Sequence, residues 1–441
     1  MAKCGVRVWN SHIVRARVRI GIQTWGSEGD IRPFVALGHA LASRGHEVEM
    51  LYTEVSDRRY EAVARALGFT ARAVASPILR DQAQLLDIGL KIINTRNQLQ
   101  QGLLIARHML EPVIPQMYEA GLDLAGRSDL LIHHFILHSA RAAADLTGTP
   151  AITVAFAHML VPSREITPTG MPRLGPWVNA LGWKIARAAV NFTLLTDANR
   201  LRKQLGLPPF RDLLEDGWAS HRLHLLASSP ALLDRPADWP AWNQMCGFLE
   251  LPPHEHEPVA PEVEAFLSCG PAPVFMGFGS LMPMGGTDHL TDAIGVFAEA
   301  ARQAGQRAII QADVDRPPAG EVLFVRRTPH AQVFPRCAAV VHHAGAGTTH
   351  STLRAGVPSI AVPHVSDQFA WSAELQRLGV APRPLRRTKW SAPALADRIR
   401  RVVANPQMKA AAVAIQKRMA SDDGPSTAAN LIEEVMRWNK I

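Results

Sequence analysis

The sequence predicts an α/β protein built as two doubly wound domains that face each other across a cleft. Three observations carry this expectation. The chain has 441 residues, too many for one ordinary domain and suited to two of about 200 each. Strand-like apolar runs alternate with helical patterns from near the N-terminus, the signature of parallel βαβ units. The alternation then breaks in a proline-rich stretch and restarts.

RVRIGIQ is a β-rich run that passes through TWGSEGD into IRPFVALGHALASRG. There Ile31, Phe34, Leu37, Ala40 and Leu41 share one helical face. Pro33 suits a first helical turn and Gly45 a helix stop. HEVEMLYT reads as the next strand, and LLIHHF, AITVAF and HLLASS as later buried strands of the same half. Nine of the 32 prolines then fall between Pro230 and Pro273, so this stretch, with PPHEHEPVAPE at its centre, reads as a linker. The boundaries predicted are 1–235 for an N-terminal domain, 236–268 for the linker and 269–441 for a C-terminal domain. APVFMGFGS opens the second half as a strand entering a glycine turn. QRAIIQAD, VLFVRR, AAVVHHAG and PSIAVPH follow as short apolar runs, and STAANLIEEVMRWNK closes it as a helix.

Composition narrows the partners. Hydrophobic residues make up 47% and charged residues 20%, which fits two packed cores. A net charge of +8 favours an anionic partner or merely aids solubility. No recognised nucleic-acid motif or basic-aromatic stripe is present, which argues against nucleic acid. Lys3, Arg7, Arg15, Arg17 and Arg19 precede the first acid, Glu28, with no apolar stretch between them. That is not the pattern of a secretory signal, and it leaves open a short arm on anionic lipid or a disordered extension. The four cysteines are scattered without a C-x-x-C pair, which speaks against a disulfide framework or zinc site and for a reducing cytoplasm. The longest uncharged stretch, from Leu146 to Ser163, contains Pro150, His158 and Pro162. It reads as strand and loop, so any membrane contact is expected to be peripheral, at the inner face.

The most informative segment is AAVVHHAGAGTTHSTLRAGVPSIAVPHVSDQFAWSAEL. A buried strand delivers two histidines and a Gly-Ala-Gly turn, and a helix is expected from about Thr348 to Gly356. Small residues let a ligand approach the backbone, and a helix N-terminus offers N–H groups to an anion. The hydroxyl of Thr348 and the imidazole of His343 add hydrogen-bonding groups. A phosphate or diphosphate fits this set. The alternative is a tight turn with Thr348 or Thr349 as a helix cap. No lysine follows the glycines and G-x-G-x-x-G is absent, so neither a Walker loop nor a dinucleotide fingerprint is present. Neighbours on a strand point to opposite faces, so one of His342 and His343 is expected to pack inward.

HHAGAGTT, followed about twenty residues later by DQ, resembles the donor signature of the UDP-glycosyltransferase family (glycosyltransferase family 1). The spacing through LRAGVPSIAVPHVSDQFAW is similar to its bacterial and fungal branch acting on sterols and other lipophilic natural products. The resemblance implies a GT-B fold of two Rossmann-like domains, an inverting mechanism, no metal and no cofactor. The co-substrate it implies is a UDP-sugar, with dTDP-sugar open, and the acceptor is a lipophilic hydroxyl-bearing small molecule. By position, His343 matches the diphosphate-contacting histidine, and Gly345, Ala346, Gly347 and Thr348 the loop that holds the diphosphate. Asp367 and Gln368 match the pair that binds the donor sugar hydroxyls. From the residues alone, Asp367 reads first as the N-cap of the helix FAWSAEL. PVFMGFGS resembles the first strand of the family's C-terminal domain, with Ser280 facing the phosphates. VRRTPHAQVFPRC resembles the segment that receives the base. Arg327 stands there where the family often has an aromatic residue, beside Thr328 and His330.

TWGSEGDIRP resembles the family's first loop, in which Asp30 matches the general base and Ser27 a donor contact. Glu28 replaces a usual arginine. Asp30 also reads locally as an N-cap. MLVPSREITPTGMPRLGPWVNALGW reads as an acceptor-pocket wall or an ordinary packed loop, with His158 as a core histidine. Asp313-Val314-Asp315 spells D-x-D but lies in a loop, and two carboxylates are only part of a metal shell. The expected function is transfer of a hexose, glucose first, from a UDP-sugar to an acceptor hydroxyl. A nucleotide-sugar epimerase on the same fold and a non-catalytic nucleotide-sugar or lipid-binding protein are the rival readings.

Overall fold

A computed structural model describes residues 17–55, 58–77, 82–168, 171, 174–251, 258–279, 286–314, 316–387 and 390–438. Two parallel sheets form, one in each half of the chain. The first contains β1 (Arg19–Gly26), β2 (Glu47–Glu54), β3 (Thr70–Ala73), β4 (Leu130–His134), β5 (Ala151–Ala155), β6 (His224–Leu226) and β7 (Asn243–Met245). Their order is β3-β2-β1-β4-β5-β6-β7. The second contains β8 (Val274–Gly277), β9 (Ala308–Gln311), β10 (Val322–Val325), β11 (Ala339–His342) and β12 (Ser359–Ala361), in the order β10-β9-β8-β11-β12. This is the expected doubly wound pair.

Helices cover both faces of each sheet, so the central strands read as nearly continuous apolar runs. Every residue of β1 after Arg19 is buried. Ile20 and Ile22 join Met50 of β2 and Phe34, Leu37 and Leu41 of the 28–42 helix in one core. Val274 and Met276 of β8 join Val341 of β11 and Phe297 of the 286–304 helix in another. The strand order reverses between β1 and β4 in the first sheet and between β8 and β11 in the second. Such switch points open a crevice at the carboxyl ends of the strands.

Several elements differ from expectation. The first helix spans Glu28–Ala42 and is capped by Ser27, so it starts inside the loop motif and places Pro33 in its second turn. The helix after the second histidine pair runs Ala346–Arg354 with Gly345 as its N-cap, two residues before the predicted start. The proline-rich stretch 236–268 carries β7 as the seventh strand of the first sheet and a helix at Pro261–Ser268. The stretch read as a pocket loop runs into a long helix, Pro176–Gln204.

The last helix, Gly424–Trp438, returns to the first domain. Its Ala428, Ala429, Ile432 and Met436 enter the core around β1. Arg44 donates to Asn430 Oδ1 at 2.7 Å and to the Ser426 carbonyl at 2.9 Å. A second apolar cluster joins the two halves directly. Ala157, Trp183 and Leu226 from the first pack with Trp371, Leu375 and Leu353 from the second. Among the described residues, no helix is long and apolar enough to cross a membrane. The basic segment before Arg17 lies outside the described residues.

Candidate active site

The loops after β1 and β11 stand at the two switch points and carry the motifs singled out in the sequence. In the first loop, Asp30 is the third residue of its helix and not the cap. Its Oδ2 accepts the Ser27 N–H at 2.8 Å and the Ser27 hydroxyl at 3.0 Å. This is the reciprocal arm of a capping box. Ser27, expected at the donor, therefore directs both of its donors to Asp30. Gly26 has φ 134°, and a Cβ there would overlap the Asp30 carboxylate, so the turn requires glycine.

The other Asp30 oxygen, Oδ1, lies 3.7 Å from Nε2 of buried His134, at the end of β4. His134 Nδ1 faces the Ile136 N–H at 3.4 Å, which places the ring proton on Nε2, toward Asp30. Reading the sequence residue by residue missed His134. The signal was there: a histidine pair stands at the carboxyl end of the strand at both switch points, within β4 as LLIHH and across the end of β11 as AVVH followed by His343. In each pair the first ring is structural. His133 Nδ1 bonds the His134 carbonyl at 3.0 Å, and His342 Nε2 bonds Ser359 Oγ at 3.0 Å. Burial pushes these two imidazoles down to about 4 and about 3. The second ring of each pair, His134 or His343, turns to the loop.

His343 Nδ1 is buried without a hydrogen-bond partner. Burial first, then the neighbouring His342 and His330, push its imidazole down to about 3, so it is neutral at physiological pH. A Cβ on Gly345 would overlap this ring. The 346–354 helix then begins with no side-chain cap, which leaves the first-turn amides of Ala346, Gly347 and Thr348 without intrahelical partners. Neither Thr348 nor Thr349 caps it. Among the described residues, two non-glycines adopt the left-handed backbone: Ala344 at φ 64° and Ser366 at φ 54°. Each directly precedes one of the predicted donor segments. Strain of this kind persists where the surrounding structure enforces it, often at ligand sites.

Asp367 stands at the N-cap position of the Gln368–Arg377 helix, but its carboxylate makes no cap bond. Burial first, and the charge of Asp30 second, push its carboxyl up to about 7. The two acids, from opposite halves of the chain, thus feel each other's charge. Gln368 Oε1 accepts the N–H groups of His364 and Val365 at 2.9 and 3.1 Å. That fixes the 364–368 turn and orients the amide.

In the predicted base-binding segment, Thr328 Oγ1 is buried without a partner. Arg327 is exposed and turns to Glu28, 3.8 Å away. The two departures from the family pattern therefore meet across the domain boundary. The Glu28 carboxylate also pairs with Arg32 at 3.2 Å and with Arg58. His330 stacks on Phe334 at 4.3 Å and faces Gln311, and its imidazole is pushed down to about 4 by burial. His158 bonds Ser228 Oγ at 2.8 Å and packs edge-on to Trp371, a core histidine at the domain contact. Ser280 and Asp315 lie outside the described residues. Among those described, no group of three His, Cys, Asp or Glu side chains converges as a metal site.

The chain is similar to known proteins along most of its length. Residues 307–435 match the C-terminal domain of the erythromycin biosynthesis protein CIII-like family. The chain is 30% identical over 429 residues to O-mycaminosyltylonolide 6-deoxyallosyltransferase of Streptomyces fradiae, covering 95% of this chain and 97% of that protein. It is 28% identical over 432 residues to a sterol 3-beta-glucosyltransferase of Arabidopsis thaliana, covering 93% and 67%. In fold it is similar to a Streptomyces sp. SF2575 glycosyltransferase solved in complex with thymidine diphosphate. The TM-score is 0.62 and the identity 18%, over 95% of this chain and all of that one.

Proposed function

The chain belongs to the UDP-glycosyltransferase family, of GT-B fold, and from that premise we propose that it is an inverting, metal-independent enzyme that moves a hexose from a nucleoside diphosphate sugar to a hydroxyl of a lipophilic small molecule. UDP-glucose is the proposed donor, with a dTDP-sugar as the alternative, and a sterol or other natural product the proposed acceptor. One observation carries the reading: Glu28, two residues before Asp30, lies 3.8 Å from Arg327 of the C-terminal half, so the Asp30 loop faces the domain that carries Asp367. An acceptor activated at Asp30 would thus meet a sugar held at Asp367.

In this mechanism, Asp30 takes the proton of the acceptor hydroxyl as its oxygen attacks the anomeric carbon from the face opposite the diphosphate. The bond from that carbon to the diphosphate oxygen breaks, and configuration inverts. His343, Thr348 and the uncapped amides of the 346–354 helix stabilise the charge gathering on the leaving group, with groups already in place, and Ser280 is assigned to the same phosphates by its sequence position alone. Asp367 and Gln368 orient the sugar, and Arg327 and Thr328 receive the base. A purified-protein screen crossing UDP- and dTDP-sugars with sterol, phenolic and macrolide acceptors tests this. A product heavier by one sugar supports transfer, and saturable donor binding with no adduct in any pair counts against it. Turnover is expected to survive excess EDTA, and its abolition would overturn metal independence.

The raised carboxyl of Asp367 predicts a pH dependence. Its ionised form accepts two sugar hydroxyl bonds, so donor affinity should rise with pH through about 7. Asp30→Asn removes the like charge and should move that midpoint down. Calorimetric donor titrations across neutral pH check both, and a flat profile would detach Asp367 from the sugar. The same shift affects folding with the opposite sign. The folded chain holds this proton more tightly than the unfolded one, so the contribution to stability weakens as pH rises toward 7.

A further inference from the structure

The 176–204 helix carries an apolar face that none of the described residues covers. Trp177 is 80% exposed, Leu181 59%, Ile185 58% and Phe192 89%. At 100° per residue these positions fall on one side, spanning roughly 22 Å at 1.5 Å per residue. The opposite side anchors the helix. Trp183 is buried and donates to the Ile166 carbonyl at 2.8 Å, and Asn179 and Gly182 are buried beside it. The outward apolar residues are therefore not required by the core, and a contiguous exposed patch of this kind marks an interaction surface.

Charge selects the partner. No acidic residue occurs between Glu165 and Asp197. Exposed Lys184 lies in the middle of the stripe, and Arg164 sits over the Trp177 ring at 5.4 Å. The acids beside the helix are engaged: Asp197 pairs with Arg200 at 2.6 Å, Asp212 and Glu215 pair with Arg187 at 3.3 and 3.0 Å, and Glu165 accepts the Ala237 N–H at 3.0 Å. A second copy fits poorly. The stripe's midpoint falls at Lys184, so a two-fold antiparallel pairing would set the two ammonium groups against each other. A bilayer interface accepts the same set: aromatic rings enter the headgroup boundary and the ammonium reaches the phosphates.

We infer that the outer face of the 176–204 helix docks on an anionic phospholipid bilayer, with Trp177, Leu181, Ile185 and Phe192 inserted at the headgroup level. This goes beyond the sugar-transfer reading and does not depend on which acceptor is used. Its inner face shares one apolar cluster with Trp371, in the helix that follows Asp367. The docked face and the site thus lie on two sides of one packed layer.

Full-length protein is sedimented with phosphatidylcholine vesicles containing phosphatidylglycerol, and with pure phosphatidylcholine vesicles. Preferential binding to the anionic vesicles is expected. It should weaken by about tenfold or more in the Trp177→Ser/Phe192→Ser variant, and weaken on the anionic vesicles in Lys184→Glu. Unchanged melting temperatures show that these surface changes leave the fold intact. Absence of vesicle binding by the parent protein, or equal binding by the double variant, would overturn the inference. So would light scattering that shows a dimer made monomeric by the double variant, since that assigns the face to a second copy.

Discussion

Asp30→Asn is expected to lower turnover by about 10²–10⁴-fold, the range that a positioned general base supplies, while donor affinity and melting temperature stay near those of the parent. The asparagine is chosen because Asp30 has two tasks. Its Oδ2 accepts two bonds from Ser27 and holds the start of the 28–42 helix. Asparagine keeps an acceptor oxygen for that purpose but loses the basicity needed to take a proton. Asp30→Ala would remove both, adding a capping loss of about 0.5–2 kcal/mol that blurs the result. Donor affinity is expected to hold because the donor groups lie on the other domain, apart from the lower midpoint at Asp367. Steady-state kinetics with saturating donor, paired with calorimetry, separates these effects. Near-parental turnover in the asparagine variant would leave Asp30 as a helix-start residue alone.

What the sequence announced and what it concealed follow from physical differences between segments. β1 and β11 are central strands buried on both faces, so they appear as apolar runs that need no partner to be seen. β3 and β7 are edge strands, written TARA and NQM. β3 alternates exposed and half-buried residues and β7 is mostly half-buried, so no apolar run marks them. The 176–204 helix was hidden for another reason. Apolar residues lie on its outer as well as its inner side, which erases the amphipathic period that a buried helix normally displays. The candidate site divides in the same way. The Gly-Ala-Gly turn and the acids are local signals. The approach of Asp30 to His134 and Asp367, and of Glu28 to Arg327, exists only once β4 pairs beside β1 and the two domains face each other. That Asp30 sits at the third helical position was readable in principle from Ser27-x-x-Asp30, a capping-box spacing with an aspartate in place of the usual glutamate.

His343→Ala is expected to weaken binding of the nucleoside diphosphate by roughly 10–150-fold, the equivalent of the 1.5–3 kcal/mol typical of a hydrogen bond to a charged group. The pattern of loss discriminates more sharply than its size. Burial holds His343 at about 3, so its contribution should be that of a neutral ring donating one hydrogen bond. Binding should therefore not decline as pH rises through the ordinary histidine range, as it would if an imidazolium made the contact. Gly345→Ala approaches the same ring from the other side, because the added Cβ overlaps it and must displace it. It should reproduce much of the defect without removing any polar group. His342→Ala provides the contrast. That ring bonds Ser359 and the Ala344 N–H inside the sheet, so its loss should lower the melting temperature more than it lowers affinity. Titrating UDP and dTDP into all three proteins across neutral pH gives the answer. Unchanged diphosphate affinity in His343→Ala would show that the buried, unpartnered nitrogen serves something other than the donor.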